Sequence, residues 1–268
     1  LDKNGSQLAT TETILRLEMY KTKLDTKVLN ETALKIINTL ETNGDSYTDT
    51  FPIKIDPFEY TFTSDEKKKT WLETYDLDEN TTAEEAFYYF KDKYDIENED
   101  VSEVRKILVI RYRISSEGYS STKSLTISSN ISRESALIFT EQSDLYPGVT
   151  VGQSSSRSYP NSNLASHILG YINSITSEQY QENKDKGYSM SDIYGQTGIE
   201  YVFEEYLKGD NGVKQIDMSV DGSIVSEYVA EEATQGSDVV LTIDANLQAI
   251  TEQALENTIN NIRNRRIW

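Results

Sequence analysis

The chain has 268 residues, 26 Lys and Arg against 45 Asp and Glu, a net charge of −19, and no cysteine. That length can bury a sizeable core, while the charge opposes nucleic-acid phosphates and anionic lipid and zero Cys excludes a disulfide framework or thiol chemistry. The 18 Tyr, 7 Phe and 2 Trp argue against disorder throughout, and no apolar run approaches the ~20 residues of a bilayer span.

In chain order, Leu34, Ile37 and Leu40 form a helical stripe within Asn30–Asn43, with Gly44 placed to end the helix. Phe51–Phe62 alternates, holds two prolines and reads as one extended run. Thr63-Ser64-Asp65-Glu66 before Trp71 looks like a helix start. A second start is Thr81-Thr82 before Glu84 and Glu85, with Thr81 as the cap. Glu99–Arg113 is predicted helical, with Val101, Val104, Leu108 and Tyr112 on one face. Lys123–Ser128 is predicted as a strand and Ser132–Gln142 as a capped helix.

Past Pro147 the texture changes. Gly148–Ser156 alternates as a strand, Asn163–Tyr171 and Glu178–Lys184 read as helices, and Gly198–Tyr206 reads as a helix stopped by Gly209. Val213–Val220 and Ser223–Val229 flank Asp221-Gly222, a hairpin signal. Asp238–Ile243 is predicted as a strand. Asp244 then caps a helix bearing Leu247, Ile250, Leu255, Ile259 and Ile262. Helices interleaved with antiparallel strands argue an α+β fold.

Few residues suggest chemistry. Ser64 and Ser120 each stand three residues before a lysine, Lys67 and Lys123, the spacing of a lysine-activated serine nucleophile. Ser64 lies where a helix cap belongs, Ser120 lies in a polar loop, and no Lys-Thr-Gly occurs. The one histidine, His167, is expected to be a structural residue on a helix packed against the strand around Val149. Asp76-Leu77-Asp78 opens like a calcium loop, but Thr81 stands where that loop needs Gly. Gly195 and Gly198 read as a tight turn into a helix where backbones approach closely. Arg157 and Glu200 are either a bidentate clamp between two segments or two solvated charges. No catalytic residue, metal site or cofactor is expected.

Several blocks carry a resemblance. They are Asp2-Lys3-Asn4-Gly5 with Leu8-Ala9, then Asn130–Glu134 with Leu145–Val149, and Arg157-Ser158-Tyr159-Pro160 with His167–Gly170. They continue with Gly195-Gln196-Thr197-Gly198-Ile199-Glu200, Leu207-Lys208-Gly209 with Gly212, and Gly236–Asp244, which includes Thr242. In this order and spacing the chain resembles the non-catalytic N-terminal half of class B penicillin-binding proteins, the cell-wall D,D-transpeptidases. Residues 1–10 and roughly 123–258 match well, and residues 30–120 match only in general character.

The resemblance implies an antiparallel-sheet pedestal with an inserted helical head lobe, ending in the first helix of a transpeptidase domain. Residues 1–29 would be anchor-proximal, with 1–10 part of the pedestal. Residues 30–147 would form the head lobe, 148–235 the pedestal, and 236–268 the linker strand and the start of the next domain. It also implies an extracytoplasmic scaffold, here cut from its membrane anchor, that contacts a polytopic glycan polymerase and can homodimerise. Peptidoglycan would be met only through the transpeptidase domain, and no nucleic acid is a partner. The structural and interaction residues would be Asn4, Gly5, Arg157, Tyr159, Pro160, Gly170, Gly195, Gly198, Glu200, Gly209, Gly236, Thr242 and Asp244. The insertion between Thr63 and Arg113 favours an elongation-type over a division-type parent. Rival readings are a free-standing binding module for wall glycan and an independent wall hydrolase.

Overall fold

In the computed structural model, residues 1–120, 123–190, 192–219 and 224–265 are described. The chain divides into two compact units. Unit 1 comprises Leu1–Glu12, Ser155–Gln215 and Tyr228–Trp268, and unit 2 comprises Thr13–Ser154 and Ile216–Glu227.

Unit 2 is built around helices α1 (Thr26–Thr42) and α4 (Val101–Glu117), which pack together. Helix α1 starts four residues before the expected Asn30, because Asp25 accepts a hydrogen bond from the Val28 amide and caps it. Its buried stripe of Leu29, Ala33, Ile36, Ile37 and Leu40 follows the 3.6-residue period. Helix α4 runs to Glu117, past the expected Arg113. Arg113 is buried because its guanidinium holds both carboxylate oxygens of Glu117 and the carbonyl of Thr126 at 2.7 Å.

The Phe51–Phe62 stretch is not one extended run. It folds into a short hairpin, β2 (Ile53–Lys54) against β3 (Glu59–Tyr60), because Asp56-Pro57 forms the turn. Helix α2 (Asp65–Thr74) is capped by Ser64. Helix α3 (Ala83–Lys93) is capped by Thr82 rather than Thr81: the Thr82 hydroxyl accepts from the Glu85 amide while the Glu85 carboxylate accepts from the Thr82 amide. Rings from these elements meet around Phe90, which contacts Phe51, Trp71, Tyr75 and Tyr112 edge-on or tilted. The Trp71 indole N–H donates to Tyr112 Oη at 2.9 Å, which pairs these two polar groups inside the cluster.

A three-stranded sheet has the order β4-β1-β5, with β1 (Thr10–Met19) central, β4 (Leu125–Ile131) and β5 (Val149–Ser158). Strands β1 and β4 are antiparallel, pairing Leu15 with Ile131 and Met19 with Leu125. Helix α5 (Arg133–Glu141) is capped by Ser132. Phe51, Leu17, Met19, Leu125, Ile127, Phe139 and Val149 belong to one core with the α1 and α4 faces.

Unit 1 has a thinner apolar centre. Leu8, Ala165 and Leu169 are buried, with Tyr159, Leu164, Ile168, Leu241 and Ala245 packed against them. Its elements are α6 (Ser166–Leu169), β6 (Ile172–Ser174), α7 (Ser177–Asn183), β7 (Ile193–Gly195), α8 (Gly198–Val202) and α9 (Glu204–Leu207). Strands β6 and β7 are antiparallel, with Ile172 opposite Gly195. The helix expected over Asn163–Tyr171 shrinks to α6, because Ala165 enters it in a left-handed conformation. The helix expected over Gly198–Tyr206 breaks at Phe203 into α8 and α9. Strands β8 (Val213–Met218) and β9 (Ile224–Glu231) pair, and the predicted Asp221-Gly222 turn lies outside the described residues. Asp238–Ile243 is no regular strand, yet it lies along the chain start through backbone hydrogen bonds. Helix α10 (Ala245–Arg265) ends the described chain with Leu247, Ile250, Leu255, Ile259 and Ile262 all exposed. Among the described residues no helix is long and apolar enough to cross a membrane.

Candidate functional site

The sequence-predicted residues gather in unit 1 as two junctions. At the first, β5 delivers Arg157 and α8 delivers Glu200. The Arg157 Nε–H donates to Glu200 Oε1 at 2.8 Å, with the side chains 18% and 5% exposed. The expected bidentate grip is absent. The guanidinium turns its Nη1 to Thr11 Oγ1 at 3.2 Å, so it joins three segments rather than two. The Tyr159 hydroxyl reaches the same Glu200 oxygen at 3.4 Å. Burial, then the nearby Glu200 carboxylate, pushes the Tyr159 phenol up to about 12. Pro160, one of the residues the resemblance marks as structural or interacting, is exposed.

The backbone around this pair is unusually close. Gly170 (φ +81°) and Gly198 (φ +60°) face each other: a Cβ on Gly170 would collide with the Thr197 carbonyl, and one on Gly198 with the Ile168 carbonyl. Only a residue without a side chain fits there. Gly195 abuts the Glu200 carbonyl, and Gly209 and Gly236 press against Thr234 and Leu207 respectively. Below them lies Glu204, which the sequence reading missed. It accepts from the Gly195 amide at 2.9 Å and the Tyr188 hydroxyl at 3.1 Å, and burial raises its carboxyl above the usual range. Its place four residues after Glu200 was the only signal.

The second junction is a clasp between the chain start and the segment entering α10. The Leu1 nitrogen donates to the Val239 carbonyl at 2.8 Å, the Leu241 amide to the Leu1 carbonyl, and the Lys3 amide to the Ile243 carbonyl. Asp2 is buried, and its carboxylate accepts from the amides of Asn4, Ser6 and Ala245. The Ala245 amide does most to hold the Asp2 carboxyl below its ordinary range, followed in the same direction by the Ser6 and Asn4 amides. Gly5 (φ +86°) makes the turn. Asn4 Nδ2 donates to Asp244 Oδ2 at 3.2 Å, and Lys3 Nζ lies 3.3 Å from the same oxygen. Asp244 Oδ1 accepts from the Asn246 and Leu247 amides, the expected cap of α10. Thr242 is exposed beside the clasp. On the next turns of α10, Glu252 accepts from the Ala165 amide at 2.9 Å. Asp2 and Glu252 were not singled out from sequence, although Asp2 opens the first motif.

His167 departs from expectation. It is exposed on α6, which packs on α8. Ser64 Oγ accepts from the Lys67 amide as a helix cap, and Ser120 Oγ accepts from the Lys123 amide while Lys123 Nζ donates to the Glu117 carbonyl. Among the described residues no group of three His, Cys, Asp or Glu is placed to hold a metal.

The chain is similar in sequence and fold to known proteins. The family model of the penicillin-binding protein dimerisation domain matches residues 1–241. The chain is similar to the peptidoglycan D,D-transpeptidase MrdA of Acinetobacter baumannii, 25% identical over 171 residues, covering 61% of this chain and 25% of that protein. It is 29% identical over 163 residues to penicillin-binding protein 2A of Bacillus subtilis, covering 59% and 23%. The matched stretch thus spans about a quarter of the length of these relatives. The fold is similar to penicillin-binding protein 2B of Streptococcus pneumoniae, with a TM-score of 0.53 at 19% identity, covering 97% of this chain and 42% of that one. It is also similar to a penicillin-binding protein 2 of Helicobacter pylori solved in complex with MreC, with a TM-score of 0.50 at 18% identity, covering 96% and 36%. With the family model covering most of its length, the chain belongs to the penicillin-binding protein dimerisation domain family, found in the N-terminal region of class B penicillin-binding proteins.

Proposed function

We propose that this chain is the non-catalytic, extracytoplasmic scaffold of a serine-type D,D-transpeptidase, which holds the catalytic domain in position for peptidoglycan cross-linking and contacts a partner glycan polymerase. In this reading unit 1 is the pedestal and unit 2 is the head lobe. The observation that carries it is the clasp: Asp2 and Asn4, next to a membrane anchor in the parent, hold the first turn of α10, which would lead into the catalytic domain. A chain start and a following domain gripped by one buried carboxylate suit a spacer whose task is fixed geometry. The relatives named as D,D-transpeptidases and the neighbour solved with MreC support a place in wall synthesis.

Two measurements test this. Intact-mass spectrometry after incubation with benzylpenicillin should show no acyl adduct, and a stoichiometric adduct on Ser64 or Ser120 would sink the scaffold reading. The chain, displayed on a membrane anchor, should co-purify with a polytopic glycan polymerase from the same cell. Loss of that capture on charge reversal at Arg157 would tie it to the junction, and no capture at all would remove the partner assignment.

A further inference from the structure

Unit 1 also contains a cavity. It is an open cleft of about 810 Å³, within the ~300–1,000 Å³ range of small-ligand sites. One wall is a run of tyrosine rings: Tyr188 and Tyr194 lie 5.4 Å apart and Tyr194 and Tyr201 6.3 Å apart, tilted or edge-on. Tyr201 is half exposed at the mouth. Asn183 and Asn211 also line the cleft; Asn183 Nδ2 already donates to the Gln179 carbonyl, and amide side chains of this kind both donate and accept. On the lining, Glu204 is fixed by the Tyr188 hydroxyl and the Gly195 amide, each taking one oxygen. A carboxylate has further lone pairs, so Glu204 can still accept from a ligand N–H or O–H.

The charge of the lining narrows the ligand. Lys186 and Lys208 stand against Glu204, Glu205 and Asp210, nearly balanced in a chain of net charge −19. Lys208 is moreover held over the Tyr188 ring and 3.7 Å from Asp192. Such a lining selects neither a polyanion nor a polycation. Aromatic faces that accept apolar C–H surface, beside groups that pair with hydroxyls and amides, match a sugar ring carrying an amide. We propose that this cleft binds a short, uncharged oligosaccharide bearing N-acetyl groups. The inference rests on the wall-synthesis reading above for the source of that ligand, the glycan strand itself.

The test uses the whole chain and the tetramer of N-acetylglucosamine as probe, followed by calorimetry and tyrosine fluorescence. Saturable binding is expected. Tyr201→Ala should weaken it about tenfold through loss of the ring face. Tyr206→Ala, also exposed but outside the lining, should leave it unchanged and serves as the folding control. Binding that is absent at millimolar probe, equal in Tyr201→Ala, or equal for cellotetraose, which lacks N-acetyl groups, would overturn the proposal. Preferential binding of a short alanyl peptide would overturn it in favour of a peptide site. Failure of sugar binding with polymerase capture and penicillin inertness intact would remove the cleft alone, whereas an acyl adduct would remove the scaffold reading.

Discussion

Arg157 meets Glu200 through a single N–H, yet the pair is shielded enough to matter. Its value should fall between that of an exposed pair, about 0–1 kcal/mol, and that of a buried pair broken by removing one partner, about 3–5 kcal/mol. Arg157→Ala should therefore lower stability by roughly 2–3 kcal/mol in denaturant titration. Glu97→Gln should change nothing measurable, since Glu97 and Lys27 are both largely exposed. Equal melting of the two variants would show that the junction does not support the fold. Glu204 makes a pH-dependent prediction. Burial raises its carboxyl, so the folded state binds its proton more tightly than the unfolded state. This group therefore favours folding below the ordinary glutamate value of 4.5, and that contribution is lost as pH rises through the raised value. Glu204→Gln can still accept from Gly195 and donate to Tyr188. It should flatten the fall in stability above pH 4.5 relative to the native chain, read from paired denaturant titrations across pH.

At the scale of elements, unit 1 is joined by backbone contact more than by side-chain packing. Gly170 and Gly187 have the same φ of +81°, but an added Cβ meets the Thr197 carbonyl at Gly170 and open space at Gly187. Gly187→Ala should cost about 1–2 kcal/mol for the left-handed backbone alone. Gly170→Ala adds an overpacking cost and should reach roughly 2–4 kcal/mol. Indistinguishable losses would mean that the α6–α8 contact yields easily. The clasp works by hydrogen bonds to amides. Asp2, Asp244 and Glu252 all have lowered carboxyl values, caused chiefly by the Ala245 amide, the Leu247 amide and the Gln248 side chain respectively. Their contribution is present above the ordinary carboxylate range and is lost as pH falls through the lowered values. Asp2→Ala should speed hydrogen exchange at the start of α10 already at neutral pH, and unchanged protection there would contradict the clasp.

For the whole molecule, the two units differ in what holds them. Unit 2 has a continuous core in which Phe90 is fully buried among six other aromatic residues within the α1–α4 and hairpin framework. Phe90→Ala should cost about 3–5 kcal/mol and raise amide exchange across α1 and α4. Unit 1 draws on ion pairs, buried carboxylates and glycine contacts, so high salt or acid should affect its amides first. Protection in β6 and β7 that outlasts protection in α1 at low pH would refute that division.

Features that depend only on neighbours along the chain could be read from the residues alone. Caps at Ser64, Ser132 and Asp244, the helical stripe of α1, the turn glycines and the family motifs were legible, because a side chain three residues from an amide or a 3.6-residue period needs no distant partner. Local signals also misled where they were ambiguous: Thr81 and Thr82 are both good caps, and only the reach of Glu85 chooses Thr82. Other features follow from packing between distant segments. The proline-containing run became a hairpin, Arg157 gave one N–H to Thr11 instead of two to Glu200, and His167 turned outward. Asp2, Glu204 and Glu252 were drawn onto amides that lie far away in sequence or belong to another element. These outcomes depend on which distant backbone groups are left without a partner once the elements pack, and a buried amide takes whichever acceptor the fold brings within reach.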